Sequence, residues 1–168
     1  GDGYDDILVG SSREGAGLVF GAEDGFPSRI RLADLDGSNG FRLNEPTGAA
    51  AAGIRVSLAG DVNGDGLSDA LIAAVVGDPQ GRVDAGEAYL VFGRAGPEAA
   101  DFDLASLDGV SGFIFQGAEA GDETGLSVSM AGDVDGDGYT DLLIGAHKAD
   151  TDAGADAGRS YLVFGGQA

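Results

Sequence analysis

The chain has no cysteine, a single histidine, and only 9 Lys and Arg against 29 Asp and Glu. Without cysteine there is no disulfide framework and no thiolate metal site. The net charge of −20 repels nucleic acid and anionic lipid, so a nucleic-acid partner is not expected. No apolar run approaches the roughly 18 residues of a transmembrane helix, so no membrane span is expected. One His, no Cys and no G-x-S-x-G leave little from which to assemble an acid, base and nucleophile. Aromatics make up only 7% of the chain, and acidity with few aromatics can signal disorder. Regular apolar runs argue against disorder here. The chain opens at Gly1 with neither Met nor a signal-peptide pattern, as expected of a mature or excised segment.

What the chain has in excess is glycine, 32 of 168 residues, and the glycines punctuate short apolar runs. That is the pattern of tight turns between strands. The phrase LVFG occurs at Leu18–Gly21, Leu90–Gly93 and Leu162–Gly165, each 72 residues from the next. LDG at Leu35–Gly37 and Leu107–Gly109, and AGDV at Ala59–Val62 and Ala131–Val134, share the offset of 72. A unit of this length is a repeat.

Each unit holds four strand-like runs. The first is Leu126–Ala131, the second Leu142–Ala146, the third Tyr89–Phe92 or Tyr161–Phe164, and the fourth Phe41–Leu43 or Phe113–Phe115. Tandem up-and-down sheets of four short strands predict an all-β fold of partial β-propeller blades, four-stranded and antiparallel. A parallel β-helix has much shorter repeats and is disfavoured. Within a single propeller over 1–168, the expected divisions are a partial blade at 1–48, a full blade at 49–120 and a partial blade at 121–168. Ten strands, about two and a half blades, do not close a ring, which needs about four blades or more. The incomplete blades suggest self-association, because open sheet edges are templates for pairing. Tyr89, Phe92, Tyr161 and Phe164 read as blade core.

Two loops carry the chemistry, DVNGDGLSD at Asp61–Asp69 and DVDGDGYTD at Asp133–Asp141. Oxygen donors fall at positions 1, 3, 5 and 9, and position 7 can offer a carbonyl. Calcium takes six to eight oxygen ligands, which alternate donors on a curled loop can supply. The glycines between them permit the curl. One predicted Ca²⁺ site therefore comprises Asp61, Asn63, Asp65, Asp69 and the Leu67 carbonyl. The other comprises Asp133, Asp135, Asp137, Asp141 and the Tyr139 carbonyl. An EF-hand would carry Glu at position 12, where Ile72 and Ile144 stand instead. Asp2 and Asp6 match positions 5 and 9 of a truncated third loop and are weaker candidates. Asp34, Asp36 and Asn39 read as turn residues, because the second copy keeps only Asp108 of that set. His147 reads as a loop residue, and Asp150, Asp152 and Asp156 as a solvated acidic loop.

The residues Ala59–Ala74 and Ala131–Ala146, extended by Tyr89–Gly93 and Tyr161–Gly165, resemble the FG-GAP repeat family, known from the propeller of integrin α-subunits. The resemblance implies a seven-bladed propeller with calcium loops between the first two strands of a blade. It also implies an extracellular or cell-surface location and a non-catalytic role in adhesion, ligand binding or display, with a protein or glycan partner. The Phe-Gly pair that names the family reads Ala52-Gly53 and Thr124-Gly125 here, so integrin-like ligand recognition is not carried over. The other readings are a structural subunit of a filament or ring completed by neighbouring strands, and a propeller-scaffold lyase or hydrolase.

Overall fold

Alternating apolar residues and glycine turns give three twisted sheets in a computed structural model, which describes residues 3–12, 14–45, 55–95 and 99–167. Eleven strands are assigned among these residues, with no α-helix. The first sheet has the order β1 (Ile7–Ser11), β2 (Gly15–Val19), β3 (Gly40–Asn44), β7 (Asp101–Asp103). The second runs β4 (Arg55–Gly60), β5 (Asp69–Ala74), β6 (Glu87–Val91), β8 (Gly112–Gln116). The third runs β9 (Thr124–Gly132), β10 (Asp141–Ala146), β11 (Arg159–Val163). Neighbours within each sheet are antiparallel, apart from β3 and β7. The fold is all-β, in partial β-propeller blades, as the sequence predicts.

The expected ten strands become eleven. The addition is β7, which leaves the second repeat to pair in parallel with β3 of the first. Asp101, Phe102 and Asp103 are too short a run to signal a strand, and the bonds that hold it come from β3. Arg42 Nε and Nη2 donate to Asp101 Oδ1 and Oδ2 at 2.7 and 2.6 Å, and Asn44 Nδ2 adds a bond of 2.9 Å. These donors hold the Asp101 carboxyl down at about 2.

The period-2 geometry of strands sends alternate side chains to opposite faces. Ala70, Ile72 and Tyr89 of the second sheet therefore join Ala16, Phe41 and Leu43 in one core. Leu71, Ala73, Leu90 and Phe92 face the other way and meet Leu142 and Ile144. Both faces of β5 and β6 are thus covered, and every residue of those strands is buried. Among the described residues each outer sheet faces one neighbouring sheet. Leu143, Leu162 and Phe164 are 44%, 41% and 55% exposed, while their repeat counterparts Leu71, Leu90 and Phe92 are 0%, 1% and 5% exposed. Phe164 therefore departs from the core role expected of it. It has the right strand position, and no sheet among the described residues covers it.

Candidate metal centre

Both Asp-rich loops are hairpin connections, β4 to β5 and β9 to β10, and a register shift lies where each strand enters its loop. The shift leaves Gly60 opposite Asp69 and Gly132 opposite Asp141. Within the loops Gly64, Gly66, Gly136 and Gly138 take φ of 79°, 85°, 81° and 96°. That is left-handed backbone, which residues with a Cβ adopt at a cost.

The two loops repeat one hydrogen-bond network. The carboxylate at position 1 gathers the loop backbone. Asp61 Oδ1 accepts from Gly64 N and Asp65 N at 2.7 and 3.0 Å, and its Oδ2 accepts from Gly66 N at 2.9 Å. Asp133 accepts from Gly136 N, Asp137 N and Gly138 N at 2.7, 3.0 and 2.9 Å. At position 3, Asn63 Oδ1 and Asp135 Oδ1 accept from Asp65 N and Asp137 N. At position 5, Asp65 Oδ1 and Asp137 Oδ1 accept from Leu67 N and Tyr139 N.

Position 9 does something the sequence did not announce. Asp69 and Asp141 are fully buried. Asp69 Oδ2 accepts from Val62 N and Oδ1 from Gly93 N, both at 2.8 Å. Asp141 repeats this with Val134 N at 2.7 Å and Gly165 N at 2.9 Å. Each carboxylate thus ties the loop to the end of the blade's third strand, 24 residues away. Asp6 makes the matching bond to Gly21 N at 2.9 Å, which places it at position 9 of the truncated copy. Asp2 lies outside the described residues, as does the Ala52-Gly53 pair.

One carboxylate oxygen each from Asp133, Asp135 and Asp141 lies within 4.8 Å of the other two. Calcium–oxygen distances of about 2.3–2.6 Å put oxygens on opposite sides of the ion roughly 4.6–5.2 Å apart, so this set fits such an ion. Asp137 is not in that set, its Oδ1 being turned to Tyr139 N. In the first loop Asn63 stands in place of Asp135, and its Nδ2 donates to Asp65 Oδ2 at 3.0 Å, tempering the negative charge. Burial pushes Asp69 up to about 6, with the charges of Asp65 and Asp61 adding to the effect. Asp135 is also raised, by desolvation and by the charges of Asp137, Asp141 and Asp133. Both shifts disfavour the charged form of these two carboxylates, which a nearby cation would favour.

The loops also touch each other. Thr140 N donates to Asp61 O at 3.0 Å, and Gly166 N to Val62 O at 2.9 Å. The ring of Tyr139 occupies the space a Cβ on Gly64 would need. This contact across blades had no local signal in the sequence.

Several other acidic groups are held in turns or local pairs. Asp36 Oδ1 accepts from Ser38 N and Oγ, Asp108 Oδ1 from Val110 N and Ser111 N, and Asp34 pairs with Arg31. Asp150 Oδ1 accepts from Asp156 N. His147 lies 3.7 Å from Glu123, which also pairs with Lys148.

A family model for the FG-GAP repeat matches residues 124–163, from β9 to β11. The chain is 28% identical to integrin alpha-PS2 of Drosophila melanogaster over 162 residues, covering 89% of this chain and 11% of that protein. It is 29% identical to integrin alpha-V of Gallus gallus over 161 residues, covering 90% of this chain and 14% of that protein. The chain therefore spans a small part of the length of the curated relatives it matches. Among the described residues no helix is long and apolar enough to cross a membrane. The second Asp-rich loop thus lies inside an FG-GAP repeat, and this chain, similar to integrin α-subunits over most of its length, carries that repeat in a fold of partial β-propeller blades.

Proposed function

We propose that this chain is a non-catalytic, calcium-binding β-propeller module that works outside the cell or at its surface, in adhesion, ligand binding or display. The observation that carries the calcium reading is the convergence of Asp133, Asp135 and Asp141 oxygens within 4.8 Å. The same hydrogen-bond network in the first loop extends the reading to Asp61, Asn63, Asp65 and Asp69. The Leu67 and Tyr139 carbonyls and the carboxylates of Asp65 and Asp137 complete the proposed ligand sets. When bound, the ion would neutralise carboxylates that otherwise repel and would fix the hairpin between the first two strands of a blade.

The adhesion reading rests on the similarity to integrin alpha-PS2 and alpha-V, and its partner would be a protein or glycan. Calorimetric titration of EDTA-treated protein with calcium tests the metal reading. Two binding events are expected, with Asp61→Ala and Asp133→Ala each removing one. No binding heat at millimolar calcium would overturn it.

A second reading concerns assembly. Leu143, Leu162 and Phe164 are exposed at positions that the second sheet buries, which supports further blades stacking on the outer faces, in a ring or filament. Sedimentation of the chain across a concentration series tests this. A strictly monomeric chain would remove self-stacking from consideration.

A further inference from the structure

The connection between third and fourth strands has the same length in the first two repeats but behaves differently in each. In the second repeat it crosses to the first sheet as β7, in the register Arg42↔Asp101, Leu43↔Phe102, Asn44↔Asp103. The 72-residue offset places Arg29, Ile30 and Arg31 at the positions of Asp101, Phe102 and Asp103. A short 3-10 turn follows in both copies, Leu32–Asp34 and Leu104–Ser106. Arg29–Arg31 is not paired as a strand, yet Arg31 is already extended, with φ −114° and ψ 136°. Phe102 packs against the core between the first and second sheets, whereas Ile30 is 37% exposed beside a cavity of ≈ 330 Å³ that also takes in Phe26 and Leu35.

The charge of the segment is inverted relative to β7. Asp101 is gripped by Arg42 and Asn44 of the strand it joins. Arg29 holds the same repeat position, is exposed, and has no ion pair among the described residues. Arg31 is engaged by Asp34 on its own turn, at 2.8 and 3.0 Å. For a strand that accepted this segment as β3 accepts β7, the charge-complementary group at the position of Arg42 is a carboxylate. The chain's own fourth strands do not offer one, since β3 has Arg42 and β8 has Ile114 at that position. A second copy docked on either strand would leave Arg29 facing a like charge or an apolar side chain.

The geometry points to Arg29–Arg31 as a docking strand for the outermost strand of a different blade, one that carries Asp or Glu at the register position of Arg42. Backbone pairing supplies the attachment, and the Arg29–carboxylate pair selects the partner. Ile30 then closes over the joint as Phe102 does between the first two sheets.

The test uses the full 168-residue chain, ¹⁵N-labelled, and two peptides copying residues 38–45, one with Arg42→Asp and one unchanged. The Arg42→Asp peptide is expected to shift the amide signals of Arg29, Ile30 and Arg31 and to bind about fivefold more tightly than the unchanged peptide. Arg29→Asp, at an exposed position, is expected to reverse that preference. Equal binding of both peptides, shifts confined to other residues, or no shifts at millimolar peptide would each overturn the assignment. None of these outcomes depends on the metal loops, which calcium titration reads separately.

Discussion

The Asp69 carboxylate stands between Val62 and Gly93, accepting a backbone hydrogen bond of 2.8 Å from each. Asp141 makes the same bridge from Val134 to Gly165. A proposed metal ligand is thus also a latch between the loop and the third strand. Asp69→Asn keeps one acceptor oxygen and leaves one of two N–H groups unpaired. Its expected cost is about 1–3 kcal/mol in EDTA at pH 5, where Asp69 is itself mostly protonated and the metal contribution is removed. The urea midpoint should fall with an unchanged slope. Asp141→Asn should cost less, because Val134 is 54% exposed and Val62 only 5%. Equal midpoints for wild type and Asp69→Asn would show that the latch contributes nothing.

Asn63→Asp should separate folding from metal binding. The Asn63 Nδ2 bond to Asp65 Oδ2 is lost, and two carboxylates meet in its place. The metal-free protein should therefore melt at a lower temperature. The added charge should tighten calcium at the first loop, narrowing its difference from the Asp135-bearing second loop. Paired thermal melts in EDTA and in calcium check both halves. Weaker calcium binding in the variant would count against Asn63 as a ligand.

Proton and calcium should compete at Asp69. Its pKa is raised from 3.8 to about 6, chiefly by burial. A raised carboxylate pKa stabilises the folded chain while the group is protonated, and that contribution fades as pH rises through about 6. The metal-free protein should lose stability across that window, and calcium should offset the loss above it. The calcium-induced rise in melting temperature is thus expected to be small at pH 5 and to grow by pH 7. A rise independent of pH between these values would contradict the assignment.

The period was legible in the sequence because the loops and strand ends of the copies repeat the same hydrogen bonds, and repeated bonds demand like residues at like spacing. The loops were legible for the same reason, down to Asp6, whose bond to Gly21 survives a shortened connection. The latch was not legible, since its partners are backbone N–H groups that carry no residue identity. Nor was β7 legible: Asp-Phe-Asp is too short a run to signal a strand, and Arg42, 59 residues away, helps to hold it. The exposure of Phe164 was not legible either, because repeat position specifies a face and says nothing of whether a neighbour covers it.

The Arg42–Asp101 latch has the opposite pH sign. Hydrogen bonds from Arg42 lower the Asp101 pKa from 3.8 to about 2. A lowered carboxylate pKa stabilises above the unfolded value, and the contribution is lost as pH falls through the folded one. The latch should therefore hold above about pH 4 and release as the pH approaches 2. Amide exchange at Phe102 and Asp103 reads it directly. Asp101→Asn should speed that exchange at pH 6 and leave β5 and β6 unchanged. Protection equal to wild type would mean that backbone pairing alone holds β7.

Phe92 and Phe164 occupy one repeat position in two surroundings, 5% and 55% exposed, so their truncation should cost different amounts. Phe92 packs among Leu71, Leu90 and Leu142 and meets Phe113 edge-on at 5.7 Å between ring centroids. Phe92→Ala should cost about 3–5 kcal/mol, combining lost burial with the cavity left behind. Phe164→Ala removes a ring already half in water and should cost less than about 1 kcal/mol. Denaturant titrations of the two variants in dilute solution compare them directly. If another blade stacks on the third sheet, as the assembly reading holds, the gap should close wherever that blade is bound. There Phe164→Ala should become as costly as Phe92→Ala, because the two positions would then have the same neighbours.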